Sequence, residues 1–185
     1  MRLFVAVELS EQARAEVAAL QTELRSSGAD VKWVEPENLH LTLKFLGETA
    51  AEKVPALTDG LRQIAAEAQP FSISMEGLGA FPRNERPRVL WVGIKEGRQP
   101  LEELAAGVEG ACSRLGFPSE ERPFSAHLTI GRVRSSAGLG PLVQRLRETG
   151  FGPSDRVEVR RAVLLQSVLS PRGPVYHTLA ELPLG

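Results

Sequence analysis

The chain carries one short pattern twice, and this doubling restricts its fold more than any other feature. His40-Leu41-Thr42-Leu43 is matched by His127-Leu128-Thr129-Ile130, 87 residues further on (127 − 40 = 87). Leu3-Phe4-Val5-Ala6-Val7-Glu8 and Leu90-Trp91-Val92-Gly93-Ile94-Lys95 match in register at the same offset (90 − 3 = 87). A long repeat that occurs only twice does not build a solenoid. It predicts two similar β-α-β-α-β lobes facing each other about an approximate two-fold axis. No Gly/Ser-rich or Pro-rich linker separates the halves. The expectation is therefore one bilobal domain over residues 1–185, long enough to bury a core.

The local signals support this order. Apolar runs at 3–7 and 89–94 read as buried strands, and 39–46, 71–78 and 124–133 read as further strands. Ser10 is placed as the N-cap of a helix running to Arg25. Segments 51–68, 100–115 and 139–148 are helical in pattern, with Pro55 and Pro100 near their helix starts. Residues 31–34 suggest a short strand, 79–87 a loop, and 157–169 and 175–182 the closing strands.

In a strand, residues i and i+2 share a face. His40 and Thr42 thus lie on one side, with Leu41, Leu43 and Phe45 on the other; His127 and Thr129 oppose Leu128 and Ile130 in the same way. Each strand offers an apolar face to cover with helices, and an imidazole beside a hydroxyl on the open face. Two such faces would line a cleft with two histidines and two threonines. That set suits phosphate-ester chemistry without a metal. An ordinary imidazole pKa near 6.5 lets one ring act as base and another as acid at neutral pH, on opposite sides of phosphorus. Threonine hydroxyls can donate to the non-bridging oxygens between them. One His-x-Thr match would more often mark a structural histidine. Two, in parallel contexts and in a chain with only three histidines, point to catalysis.

The doubled motif resembles the two H-x-T-x motifs of the two-histidine (2H) phosphoesterases. The flanks NLHLTLKFLGE and PFSAHLTIGRVR, the N-terminal MRLFVAVELS and the late LLQSVLSPRGPVYHTLAEL are similar to the branch known as RNA 2′,3′-cyclic phosphodiesterase, or 2′-5′ RNA ligase. The resemblance spans nearly the whole chain. It implies a bilobal α+β fold, with two pseudo-symmetric antiparallel sheets and outer helices around a central cleft. It implies hydrolysis of a terminal RNA 2′,3′-cyclic phosphate to a 2′-phosphomonoester, with reversible 2′-5′ ligation as a second expectation. By position, His40 would protonate the leaving 3′ oxygen, His127 would activate water, and Thr42 and Thr129 would hold the phosphate. The other enzyme reading is a phosphodiesterase on small cyclic nucleotides or 2′-5′ oligonucleotides. The non-enzyme reading is an RNA-binding module, against which stands the retention of all four motif residues.

The family often has an arginine where Arg132 stands, and a guanidinium there can clamp phosphate. Strict alternation puts Arg132 opposite His127, so a bulge or the strand end is needed to bring it to the cleft, and Gly131 makes that possible. The matching residue of the first half is Phe45, read as core, while Lys44 alternates onto the His40 face. Arg83, Arg86 and Arg88 can guide an RNA backbone, but with Glu85 among them a plain surface loop is the preferred reading. His177 lacks the motif spacing and reads as structural; Tyr176 can stack on a base, but a packed aromatic in the last strand is the preferred reading. Cys112, the one thiol, reads as a small core residue.

Twenty-two Lys and Arg against 23 Asp and Glu give a net charge of −1. Nucleic-acid contact should then be local, at RNA 3′ ends (tRNA-like or oligonucleotide) or at a nucleotide. No Walker loop, H-E-x-x-H or paired C-x-x-C is present, and Asp residues are scattered, so neither metal nor cofactor is expected. With no signal-peptide pattern and no long apolar span, the chain reads as a soluble cytoplasmic monomer without membrane contact.

Overall fold

A computed structural model describes residues 1–185. In chain order it contains β1 (Arg2–Glu8), α1 (Glu11–Arg25), β2 (Val31–Trp33), β3 (His40–Glu48), α2 (Val54–Glu67), β4 (Phe71–Ile73), β5 (Met75–Arg83) and β6 (Arg86–Ile94). There follow α3 (Arg98–Arg114), β7 (His127–Val133), α4 (Leu139–Glu148), β8 (Val157–Val159), β9 (Arg161–Ser170) and β10 (Gly173–Pro183). Ser10 caps α1, its Oγ accepting from the Ala13 N–H at 3.2 Å. Cys112 is fully buried in α3, and burial pushes its thiol up to about 11, as suits a packing residue.

The strands form two four-stranded antiparallel sheets, ordered β10-β9-β1-β3 and β2-β7-β6-β5, and a small β4-β8 pair. In β1 the alternation is strict. Leu3, Val5 and Val7 join the main core, while Phe4 and Ala6 form a second cluster with Val163 and Leu165. That second cluster is the open face of the first sheet. The lobes are not the contiguous β-α-β-α-β halves expected from the repeat: β2 and β5 join the second sheet, β9 and β10 join the first, and α1 and α3 each pack on the sheet of the other half. α2 and α3 pack together and reach β3, β9 and β10. α1, although it follows β1, packs beside α4 and reaches β7 through Gln21. One apolar cluster of 40 buried residues runs through both sheets. No helix is long and apolar enough to cross a membrane.

Three further expectations need correcting. The first-strand repeat is offset by 85, not 87. Ala6 pairs with Thr42, whereas Trp91 pairs with Thr129 (91 − 6 = 85). A slip of two residues preserves the face of every side chain, so the apolar pattern could not detect it. Residues 79–87 are not a loop: β5 and β6 continue as a hairpin to Arg83 and Arg86. Lys44 and Phe45 are reversed. Leu43 is an extra residue in β3, because Val5 pairs with Lys44 and Ala6 with Thr42. This bulge turns Lys44 into the core and Phe45 out to solvent on the His40 face.

Lys44 is buried against α3. Its Nζ donates to Glu109 Oε2 at 2.7 Å and to the Pro118 carbonyl at 2.9 Å. Partial burial pushes the Glu109 carboxyl up. Hydrogen bonds from Lys44 and the Glu120 N–H, with the Lys44 charge, outweigh it and leave the group below its usual range. The ion pair therefore stabilises the fold above the ordinary carboxylate pKa, and that contribution fades as pH falls through the lowered value. Glu109→Ala strands a buried ammonium and is expected to cost about 3 kcal/mol. Lys44→Met removes the buried charge altogether and is expected to cost less than about 1.5 kcal/mol. Urea unfolding of the two variants checks the order; equal losses would contradict this account.

Candidate active site

β3 and β7, which carry the two histidines, lie against each other where the sheets meet, without joining one ladder. His40 and Thr42 are half-buried on the open face of one sheet, and His127 and Thr129 occupy the same positions on the other. The two threonine hydroxyls are neither hydrogen-bonded within the chain nor sealed from solvent.

Each imidazole is held in the same manner. His40 Nδ1 lies 3.1 Å from the Asn38 carbonyl, and His127 Nδ1 lies 2.7 Å from the Ser125 carbonyl. A carbonyl oxygen can only accept, so Nδ1 carries the proton in both rings and Nε2 is left to face the cleft chemistry. Asn38 sits in a 3-10 turn, and its Nδ2 donates to the Pro174 carbonyl at 2.9 Å, which ties the His40 anchor to β10. Aromatic rings flank both histidines. Tyr176 stands 5.6 Å from His40 and Phe81 stands 5.1 Å from His127, each near edge-on. Phe4 backs Tyr176 at 4.9 Å, and Trp91 backs Phe81 at 5.5 Å.

Arg132 reaches the same face through the anticipated irregularity. Leu90 pairs with Gly131 and Trp91 with Thr129, so Ile130 is the extra residue of a bulge in β7. Ile130 and Gly131 are buried in succession, and Arg132 emerges exposed. The Ile130 carbonyl, lost from the ladder, accepts from the Val34 N–H at 3.0 Å and from buried Gln21 Nε2 at 2.9 Å. Gly131 is required here, since a Cβ would come within 2.8 Å of the Val31 side chain and 3.1 Å of Trp33. Arg132 pairs with Val89, two residues along β6 from the Trp91 that pairs with Thr129, and so shares the face of the motif threonine.

The remaining predicted residues fall as follows. Tyr176 packs on Phe4, as read, but also lines a 300 Å³ cavity beside His40 with Glu8, Arg14 and Asn38. Its place beside His40 was not legible, because only the turn of β10 onto β9 brings the two rings together. Phe81 was missed because it fell in the supposed loop. His177, exposed on β10, follows Tyr176 onto the opposite face, away from the cleft. No three or more His, Cys, Asp or Glu side chains gather anywhere in the chain as a metal site would require.

The family model for LigT-like phosphoesterases matches the chain twice, over residues 7–91 and 92–176. The chain belongs to that family. An RNA 2′,3′-cyclic phosphodiesterase from Archaeoglobus fulgidus is 44% identical over 180 residues, 97% of this chain and 98% of that protein. Its counterpart from Aeropyrum pernix is 39% identical over 166 residues, covering 90% and 93%. Among solved structures, one from Thermus thermophilus superposes with a TM-score of 0.85 at 32% identity, covering 100% of this chain and 98% of that one. E. coli LigT complexed with 3′-AMP gives 0.82 at 26% identity, covering 99% and 97%. The α+β architecture with two antiparallel sheets is thus that of the LigT-like phosphoesterases.

Burial pushes both imidazoles below their ordinary value. The Asn38 and Ser125 carbonyls oppose it; Arg14 adds to the effect at His40 and Arg132 adds to it at His127. The folded chain thus favours neutral rings, and the unfolded chain takes up protons first. Stability is expected to fall as pH drops below about 6.5. Nitrogen-detected NMR titration should place the protonation midpoints of His40 and His127 below about 6.5, with Nδ1 protonated in the neutral form. A neutral Nε2–H tautomer at either ring would contradict the carbonyl anchoring.

Proposed function

We propose that this LigT-like phosphoesterase hydrolyses a terminal RNA 2′,3′-cyclic phosphate to a 2′-phosphomonoester, with His40 and His127 as the acid–base pair. The observation that carries the reading is the matched pair of Nδ1-anchored imidazoles on facing strands, each with a threonine hydroxyl two residues on. The names of the 34–44% identical relatives, RNA 2′,3′-cyclic phosphodiesterases, supply the substrate.

His127 Nε2 takes a proton from water as its oxygen bonds to phosphorus. His40, protonated at Nε2, donates to the departing 3′ oxygen on the opposite side. The substrate anion favours the protonated His40 that burial alone disfavours. Thr42 and Thr129 donate to the non-bridging oxygens, and Arg132 supplies a guanidinium to the charge that builds there. No step calls for a metal or cofactor. The reading takes residues 1–185 as one functional unit acting as a cytoplasmic monomer, since a single chain already supplies both histidines. Ligation to a 5′-hydroxyl in place of water uses the same proton transfers.

The decisive assay is hydrolysis, in EDTA, of an RNA oligonucleotide ending in a 2′,3′-cyclic phosphate. The expected product is the 2′-phosphate. His40→Ala and His127→Ala should each lower kcat by about 10²–10⁴-fold. Loss of rate on chelation, restored by a divalent ion, would refute the metal-free mechanism. A 3′-phosphate product would refute the regiochemistry.

A further inference from the structure

Outside the histidine cleft, four guanidiniums converge. Arg83, Arg86 and Arg88 of the β5–β6 hairpin and Arg122 of the loop before β7 line one concavity of about 840 Å³. All four are exposed, and none is ion-paired. Glu85, which neutralises this segment on paper, instead approaches Arg147 at 4.0 Å. Four unpaired positive charges around one hollow repel each other, in a chain whose net charge is −1. That arrangement suits a polyanion supplied from outside.

The hollow is continuous with the active site. Phe81 stands edge-on to His127 at 5.1 Å and also lines the hollow. Phe81 pairs with Val89, and Val89 pairs with Arg132, so all three lie on the cleft face of the second sheet. Arg83 pairs with Arg86, and both line the hollow beside Phe81. The register slips between Phe81 and Pro82, leaving Arg88 as an extra residue that lines the same hollow. The basic surface therefore extends the cleft face outward along the hairpin, about 7 Å per pair of residues. Successive phosphates of an extended strand can each take a guanidinium fork there.

We infer that this concavity binds the ribose–phosphate backbone of the RNA beyond the reacting terminal nucleotide, through Arg83, Arg86, Arg88 and Arg122. It makes the enzyme prefer an RNA end to a free cyclic mononucleotide. The inference rests on the phosphodiesterase reading for its substrate, but its binding arm can be tested without turnover.

The test compares wild type with the quadruple variant R83A/R86A/R88A/R122A, after thermal unfolding confirms that both are folded. Substrates are a short RNA oligonucleotide ending in a 2′,3′-cyclic phosphate and cytidine 2′,3′-cyclic phosphate, at about 50 and about 200 mM salt. The expected result is a rise of about tenfold or more in KM for the oligonucleotide, with a weaker salt dependence. The mononucleotide should change less than about twofold. Equal losses on both substrates, or no loss on the oligonucleotide, would overturn the inference. If wild type hydrolyses neither, the phosphodiesterase reading fails by itself. Fluorescence anisotropy with a 3′-phosphorylated oligonucleotide then decides the concavity: about tenfold weaker binding by the variant supports it, and equal binding overturns it.

Discussion

One buried amide holds the site in shape. Gln21 Nε2 donates to the Val34 and Ile130 carbonyls at 2.8 and 2.9 Å, from a side chain with 2% of its surface exposed. A bulge leaves a carbonyl without its ladder partner, and a buried orphan of that kind is unfavourable. With Gln21 from α1 and the Val34 N–H both aimed at Ile130, the bulge is satisfied. Arg132 then emerges on the same side as His127. In the first sheet the equivalent bulge, at Leu43 and Lys44, is held by Glu109 of α3 and the Pro118 carbonyl. In both lobes the helix layer thus fixes, through a polar contact, which side chains the strand shows to the cleft.

The pseudo-symmetry is close in backbone and broken in chemistry. The two histidines share one anchor, an Nδ1–H donated to the carbonyl two residues back. Beside them the lobes differ. Phe45 stands where the other lobe has Arg132, and Ala6 lies opposite Thr42 where Trp91 lies opposite Thr129. Gly79 makes room for that indole, since any Cβ there would collide with the ring. One wall of the cleft is therefore lined by Phe4, Phe45 and Tyr176, and the other carries Arg132 and leads to the arginine-rich hairpin. An asymmetric substrate, with a nucleoside on one side and a charged backbone on the other, suits such a pair of walls.

A good part of this was legible in the chain. The repeated His-x-Thr strands, the Ser10 cap, most of the order of elements and the need for either a bulge or the strand end near Gly131 follow from period-two alternation and local backbone preference. The two-residue slip of the first-strand repeat escaped because alternation survives it; two other errors came where the strands are irregular. Phe45 and Lys44 were exchanged because nothing local marks the Leu43 bulge, which has no glycine. The hairpin at 75–94 read as a loop because Pro82, Asn84 and Pro87 resemble punctuation, although Asn84 Oδ1 accepts the Ala80 N–H at 2.8 Å within that hairpin.

The sequence by itself determined the residue types on the two motif strands and the face that each histidine shares with its threonine, because these depend on near neighbours along the strand. Tertiary structure alone decided that α1 crosses to the opposite lobe and that Tyr176 stands beside His40. It alone decided that Glu85 comes within 4.0 Å of Arg147, and that Arg122 joins the hairpin arginines from a loop 34 residues beyond Arg88 (122 − 88 = 34). These are contacts between segments distant in the chain. They are set by core packing and by the pairing of buried polar groups, which local pattern does not encode.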